Sequence, residues 1–319
     1  MEIELETKEI NQMMELAMKI TANPSEEPEL FCQQSKELSA YIPDRILTIL
    51  SDFVKNGSPD FGFLLIRSIP IDHENLPPTP RGNTWKIGET TNLAKIQSIF
   101  IHAMGDMIAY EAEGYGRLFQ DVVPIPSMAA IQTSLGSNTE LEIHTEQAFS
   151  NLRPDILSLS CLRGDPSALT YILPLQRIVE NMTEKEMELL RQPLWKTGVD
   201  VSFKLDGHEF IEGDIRGPLA ILNEKNRLVF DQDLMFGITE ESDHFIQKII
   251  DIYYHHRSHH NLKSGEIIFI DNNHAVHGRS PFFPKYDGMD RFLVRCFATF
   301  DYSKSDSARE GRMIKAIYS

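Results

Sequence analysis

Leu141–Phe149 read LEIHTEQAF. Apolar and polar residues alternate at its start, which predicts a strand, and in a strand side chains at i and i+2 share a face. His144 and Glu146 therefore present an imidazole and a carboxylate together, two donors of a metal site that lacks a third. The third is expected from a distant strand. His277 lies in GEIIFIDNNHAVHGRSPF, after the apolar run Ile267–Ile270 and before a Gly278-Arg279 pair read as a turn at a barrel mouth. Two histidines and one carboxylate on one face of an octahedral ion leave three positions open, the pattern of non-haem Fe(II) oxygenases. A zinc site of the His2Glu kind, with hydrolytic chemistry, is the competing reading of the same donors.

Other histidines compete for the third place. His274 is three residues from His277, so the two point in different directions and only one completes the site. His255, His256, His259 and His260 are read on one helix, with 255/259 and 256/260 one turn apart, but no HExxH glutamate accompanies them; a solvated helical face is the better reading. His102 is read as a packed or solvent-facing helix residue.

Outward from this centre the chain divides in character. Apolar spacing predicts helices over 7–22, 27–40, 43–56 and roughly 93–109, with FGFLLIRSI (61–69) a buried strand among them. From Leu118 short strands and turns take over: LFQDVVPI, MAAIQT, LEIHTEQAF, ILSLSCLRG and ALTYIL, then RLVFDQDLMFG, GEIIFID and DRFLVRCFATF. A capping box, Thr183 with Glu186, opens a helix over 183–192, and DHFIQKIIDIYYHHRSHH is a second one. Residues 195–226 are polar and weakly periodic, either an active-site lid or a pair of hairpins such as FKLDGHEF. The last residues, 302–319, read as a charged surface tail or short helix. The fold class that results is mainly β with flanking helices around a double-stranded β-helix, a cupin-like jelly roll. It is one domain over 1–319, with a helical scaffold over about 1–115 and a core over about 116–302.

Composition narrows the partners. With 319 residues, 41% hydrophobic, the chain can bury a sizeable core, and a formal charge of -16 argues against nucleic acid or anionic membrane. No apolar run is long enough to span a bilayer. Cys32, Cys161 and Cys296 are odd in number and widely spaced, so they read as reduced buried thiols of a cytoplasmic protein, compatible with a homo-oligomer.

Taken together, GSNTELEIHTEQAFSNLRPDILSLSCLRGDP, DNNHAVHGR and YDGMDRFLVRCF resemble the clavaminate synthase-like Fe(II)/2-oxoglutarate-dependent oxygenases, and within them the hydroxylases of free amino acids. The match spans roughly residues 118 to 302. The resemblance implies His144, Glu146 and His277 as the iron ligands, with 2-oxoglutarate and O2 as co-substrates. It implies that Arg291, fourteen residues past His277, holds the distal carboxylate of 2-oxoglutarate with Thr170, and that Arg295 with Ser134 holds the substrate α-carboxylate. Spacing agrees on one point, since Arg291 and Arg295 are an even number apart in the alternating run RFLVRCF and share a face. The same alternation pairs Asp231 with Asp233, two carboxylates that need a cation if buried. In arginine-hydroxylating relatives such a pair grips the substrate's distal cation. The amino-group contact falls to Glu111 or Glu113, and Glu146 itself is read as touching the amine. The expected reaction is hydroxylation of free L-lysine at C3 or C4, giving hydroxylysine, succinate and CO2, with L-arginine and then L-asparagine as alternative substrates. Because Glu146 is present, halogenation is disfavoured. A non-catalytic cupin-like binding protein is the remaining alternative.

Overall fold

A computed structural model describes residues 1–200, 203 and 210–319. The fold is mixed α/β and is arranged in layers around a nine-stranded sheet. Its strands run in the order Glu2–Glu4, Phe63–Arg67, Ile267–Asp271, Ile156–Arg163, Phe292–Thr299, Asp106–Tyr110, Met313–Ile314 and Arg309–Glu310, with Gln120–Val122 also paired to Phe292–Thr299. Period-2 side-chain alternation sends each central strand's residues to two different cores. Leu64, Ile66, Ile267, Phe269, Val294 and Cys296 pack beneath the N-terminal helices, whereas Phe63, Leu65, Ile268, Ile270, Leu293 and Phe297 face the opposite way. That second face meets a four-stranded antiparallel sheet, Ser258–His260, Thr170–Pro174, Ala275–Arg279 and Leu141–His144, through Ile172 and Ala275. The far side of the small sheet is covered by the helix Glu240–His256, whose Phe245, Ile249 and Ile252 pack with Ile143, Leu173 and Val276.

The four N-terminal helices form where their apolar spacing predicts them: Thr7–Met18, Pro28–Ser39, Asp44–Asn56 and Asn92–Met104. In Asp44–Asn56 the fully buried Ile46, Leu50 and Phe53 recur at i, i+4, i+7, and each contributes about 1.5–3 kcal/mol by leaving water. The capping box at Thr183 is present, Glu186 N–H donating to the Thr183 hydroxyl at 3.3 Å and Thr183 N–H to the Glu186 carboxylate at 2.8 Å.

Several expected elements are corrected. The helix expected over 93–109 ends at Met104, and Asp106–Tyr110 is a strand of the large sheet. Gly105 marks the break, because a Cβ there would lie 2.3 Å from the carbonyl oxygen of Thr299. MAAIQT is a 3-10 turn at Pro126–Met128 followed by further turns, with no strand. The histidine-rich helix starts at the Thr239 cap and stops at His256; Arg257 turns extended and Ser258–His260 is a strand. His255/His259 and His256/His260 are therefore not one helical turn apart. Of the two readings of the C-terminal residues, short helices are present, 3-10 turns at Tyr302–Ser305 and Ala316–Tyr318, but a loose tail is not, since Met313–Ile314 pairs in parallel with Asp106–Tyr110 and Ser319 is buried, its carbonyl taken by Arg216 at 2.6 Å. Trp195–Gly198, Ile215–Leu219 and Met235–Gly237 make a small separate sheet, whereas the FKLDGHEF hairpin lies outside the described residues apart from its two end phenylalanines. Those two, Phe203 and Phe210, pack with Phe149.

Candidate active site

The small sheet builds the centre. His144 and His277 stand directly opposite each other on paired antiparallel strands, with ring centroids 4.4 Å apart. The strand of His277 is paired on both sides, by Leu141–His144 and by Thr170–Pro174, which fixes the ring's origin. Gly278 and Arg279 continue this strand and do not form the expected turn; the turn precedes it, at Asn272–His274. His274 points away, its Nδ1 2.9 Å from Asp271, and has no part in the site.

The strand expected to carry Glu146 ends at His144, yet the carboxylate still arrives. Glu146 Oε1 lies 3.8 Å from His144 Nε2 and 3.3 Å from His277 Nε2, and one donor atom from each residue falls within 4.8 Å of the others. His144 Nδ1 is 2.8 Å from the Glu142 carbonyl oxygen, to which it donates as N–H, and this turns Nε2 toward Glu146. Burial disfavours a charged imidazole, but the Glu146 carboxylate and Asp231 outweigh it and push His144 up to about 9. Burial would raise Glu146, yet both imidazoles and Arg295 hold it well below the usual carboxylate range. The pocket thus favours a positive charge between these three groups, and two imidazole nitrogens with one carboxylate fit a divalent metal.

The cavity in front of this triad lies between the two sheets, and the alternation expected of RFLVRCF holds there. Arg291, Leu293 and Arg295 line it, while Phe292, Val294 and Cys296 point into the helical core. Arg291 is buried and makes no hydrogen bond or ion pair with any described residue; burial pushes it down to about 10. Thr170 and Ser134 line the same cavity. Arg295 is engaged, donating to Glu113 and to Gln120, with Glu146 Oε2 at 3.9 Å. Burial, opposed by Arg295, pushes Glu113 up to about 7. This separates the two amino-group candidates. Glu113 lines the cavity, whereas Glu111 faces the C-terminal segment, 2.9 Å from the amide of Ala316.

Further carboxylates line the cavity. Asp231 and Asp233 both line the cavity, but by a turn and not by the extended alternation expected of them. Asp231 Oδ1 accepts from the amides of Asp233 and Leu234 at 2.9 and 2.8 Å, an Asx turn, while its backbone bridges to His144. Glu142 joins them, a residue the sequence reading passed over although it sits two before His144 on the same strand. Burial and then Asp233 and Asp231 raise its carboxyl; burial also raises Asp231, against the attraction of His144. Asp200, from the segment expected to be a lid, also lines the cavity.

Comparison with known proteins places this geometry. The profile of the family described as "Taurine catabolism dioxygenase TauD, TfdA family" matches residues 43–297. The chain is 44% identical, over 99% of its length and 89% of the relative's, to an L-lysine 3-hydroxylase of Catenulispora acidiphila. It is 32% identical, over 82% of its length and 77% of the relative's, to an L-asparagine oxygenase of Streptomyces coelicolor. A solved asparagine oxygenase in complex with Fe(II), 2S,3S-3-hydroxyasparagine and succinate superposes with a TM-score of 0.90 at 29% identity, covering 98% of this chain and 99% of that one. The triad is therefore an iron centre, not the zinc hydrolase site that the same donors allow, and the chain belongs to the TauD/TfdA family as an Fe(II)/2-oxoglutarate-dependent dioxygenase of the amino-acid hydroxylase branch.

Proposed function

We propose that the protein hydroxylates free L-lysine, at C3, with 2-oxoglutarate and O2 as co-substrates and succinate and CO2 as by-products. The observation that carries this reading is the charge of the cavity wall: Arg291 and Arg295 line it from one strand run, and Glu142, Asp231 and Asp233 line it around the strand of His144. A basic amino acid has a carboxylate and a distal cation to match both kinds of charge, and the 44% identical relative named as an L-lysine 3-hydroxylase supports lysine and the C3 position. L-Arginine would satisfy the same charges. L-Asparagine would leave these carboxylates uncompensated.

Bound iron supplies the activation of dioxygen that is coupled to decarboxylation of 2-oxoglutarate. The chain's own residues bind and orient. His144, Glu146 and His277 hold the metal from one side. Arg291, without a hydrogen-bond or ion-pair partner among the described residues, is assigned the distal carboxylate of 2-oxoglutarate, together with the Thr170 hydroxyl of the same cavity. Arg295 with Ser134 takes the substrate α-carboxylate, and Glu113, once ionised, the α-ammonium. Asp231, Asp233 and Glu142 hold the distal cation. Fixing the substrate at both ends places one methylene before the metal, which is where positional selectivity originates. The two packed sheets support a double-stranded β-helix in a single domain over 1–319, scaffold to about 115 and core to about 302. Asp200 and Phe203, described residues of the segment 195–226, line the cavity wall and support the reading of that segment as a lid. The three buried free thiols support a reducing, cytoplasmic setting.

The test is to incubate the protein with Fe(II), ascorbate, 2-oxoglutarate and each of the twenty amino acids and to measure succinate and hydroxylated product by mass spectrometry. Lysine is expected to stimulate succinate most, with product hydroxylated at C3. Stimulation by asparagine alone would overturn the assignment of Asp231 and Asp233.

A further inference from the structure

The β ladder that fixes His144 opposite His277 stops at His144, and the residue after Glu146, Gln147, is in the left-handed region at φ 53°. Glu146 therefore leaves the strand just where its carboxylate must be aimed, with no ladder of its own. A side chain takes the ladder's place. Asn272, fully buried, accepts the Glu146 amide N–H through Oδ1 at 2.7 Å and donates from Nδ2 to the Glu146 carbonyl at 3.1 Å, while Nδ2 also donates to the Pro154 carbonyl at 2.8 Å. Both backbone polar groups of one metal ligand are thus held by one amide, as a neighbouring strand would hold them.

The origin of that amide matters as much as its contacts. Asn272 stands in the turn between Ile267–Asp271, in the large sheet, and Ala275–Arg279, which carries His277 in the small one. The turn is itself anchored: the Asn272 amide donates to the Asp155 carbonyl at 3.0 Å, and Asn273 Nδ2 to the Asp155 carboxylate at 2.9 Å. One connection between the sheets therefore delivers His277 through its outgoing strand and grips Glu146 through its first residue. We infer that Asn272 is the positioning residue for Glu146, setting the distance between the carboxylate and His277 so that the three ligands form a metal site without the metal having to gather them. It touches neither substrate nor metal and acts only through the Glu146 backbone.

Asn272→Ala removes the clasp, and Asn272→Asp keeps the shape but exchanges two donors for a carboxylate facing the Glu146 and Pro154 carbonyls. The readouts are anaerobic Co(II) and Fe(II) titrations of the apoprotein, the visible charge-transfer band of the Fe(II)·2-oxoglutarate complex, and the ratio of succinate to hydroxylated product. Metal affinity is expected to fall about 10- to 100-fold in the alanine variant, the usual cost of losing an outer partner, and further in the aspartate variant. The band should shift or broaden, and succinate should exceed product severalfold. Metal binding within twofold of wild type in a cooperatively folded Asn272→Ala would overturn the inference. A measurement on the unmodified protein guards against variants that do not fold: in apoprotein with 15N-labelled glutamate, the Glu146 amide should be strongly protected from hydrogen exchange. Exchange at the rate of an exposed loop would overturn the inference regardless of the variants. The titrations and the exchange experiment need no amino acid, so their outcome stands apart from the assignment of lysine.

Discussion

Two parts of the cavity wall are held by different kinds of structure. At the metal, His144 and His277 are opposite rungs of a ladder inside a four-stranded sheet, and Arg295 rises from a strand paired along its length to Ile156–Arg163. At the acidic part, Asp231 and Asp233 sit on an Asx turn that touches the sheet through one backbone bridge, Asp231 to His144, made by Thr145 N–H to Phe230 and Gln232 N–H to Ile143. The two histidines are thus placed on paired strands, and in the proposed function the choice of substrate side chain falls to a turn. Such a division lets one scaffold serve several amino acids.

The largest effect should come from the ladder end. Replacing His277 or Glu146 by alanine should lower lysine-dependent succinate by more than about 100-fold, since loss of even an outer partner of a metal ligand costs about 10- to 100-fold; metal analysis of the purified variants checks the cause. Arg291→Ala should follow, raising the 2-oxoglutarate requirement by the roughly 2–5 kcal/mol typical of a truncated buried charge pair, with a much smaller change in the KM for lysine. The turn comes next. Asp231→Asn should raise the KM for lysine by about 1.5–3 kcal/mol, the worth of a charged hydrogen bond, and leave the 2-oxoglutarate KM alone. Asp233, which is exposed, should matter less, by no more than about 1 kcal/mol. If Asp233→Asn proved the more harmful, the contrast between a half-buried anchor and an exposed rim would fail. The smallest effect is in pH. Burial raises Glu113 to about 7, so its carboxylate, neutral below that value and charged above it, should attract the substrate ammonium increasingly as pH rises. The kcat/KM for lysine is expected to climb through neutrality, and Glu113→Gln should flatten that limb.

Legibility followed the same division. Periodicity found the N-terminal helices and the inward pairing of Arg291 with Arg295, because both are consequences of local geometry that burial on two sides reinforces. It overran Met104, where the stop is a close approach of Gly105 to Thr299, nearly two hundred positions later in the chain. It put Asp231 and Asp233 on a strand when a side-chain cap makes them a turn, and passed over Glu142, whose place two residues before His144 was open to the same argument that found Glu146.

By itself the amino-acid sequence determined the donor types, their chain order and the faces on which strand residues lie, since those depend on residue chemistry and a period of two. Tertiary structure decided which donors meet. His277 was chosen over His274 by the pairing of its strand, Glu113 over Glu111 by the burial of Arg295, and the aim of Glu146 by an asparagine 126 positions away. Each of these is a contact between segments remote in the chain, which local periodicity does not encode.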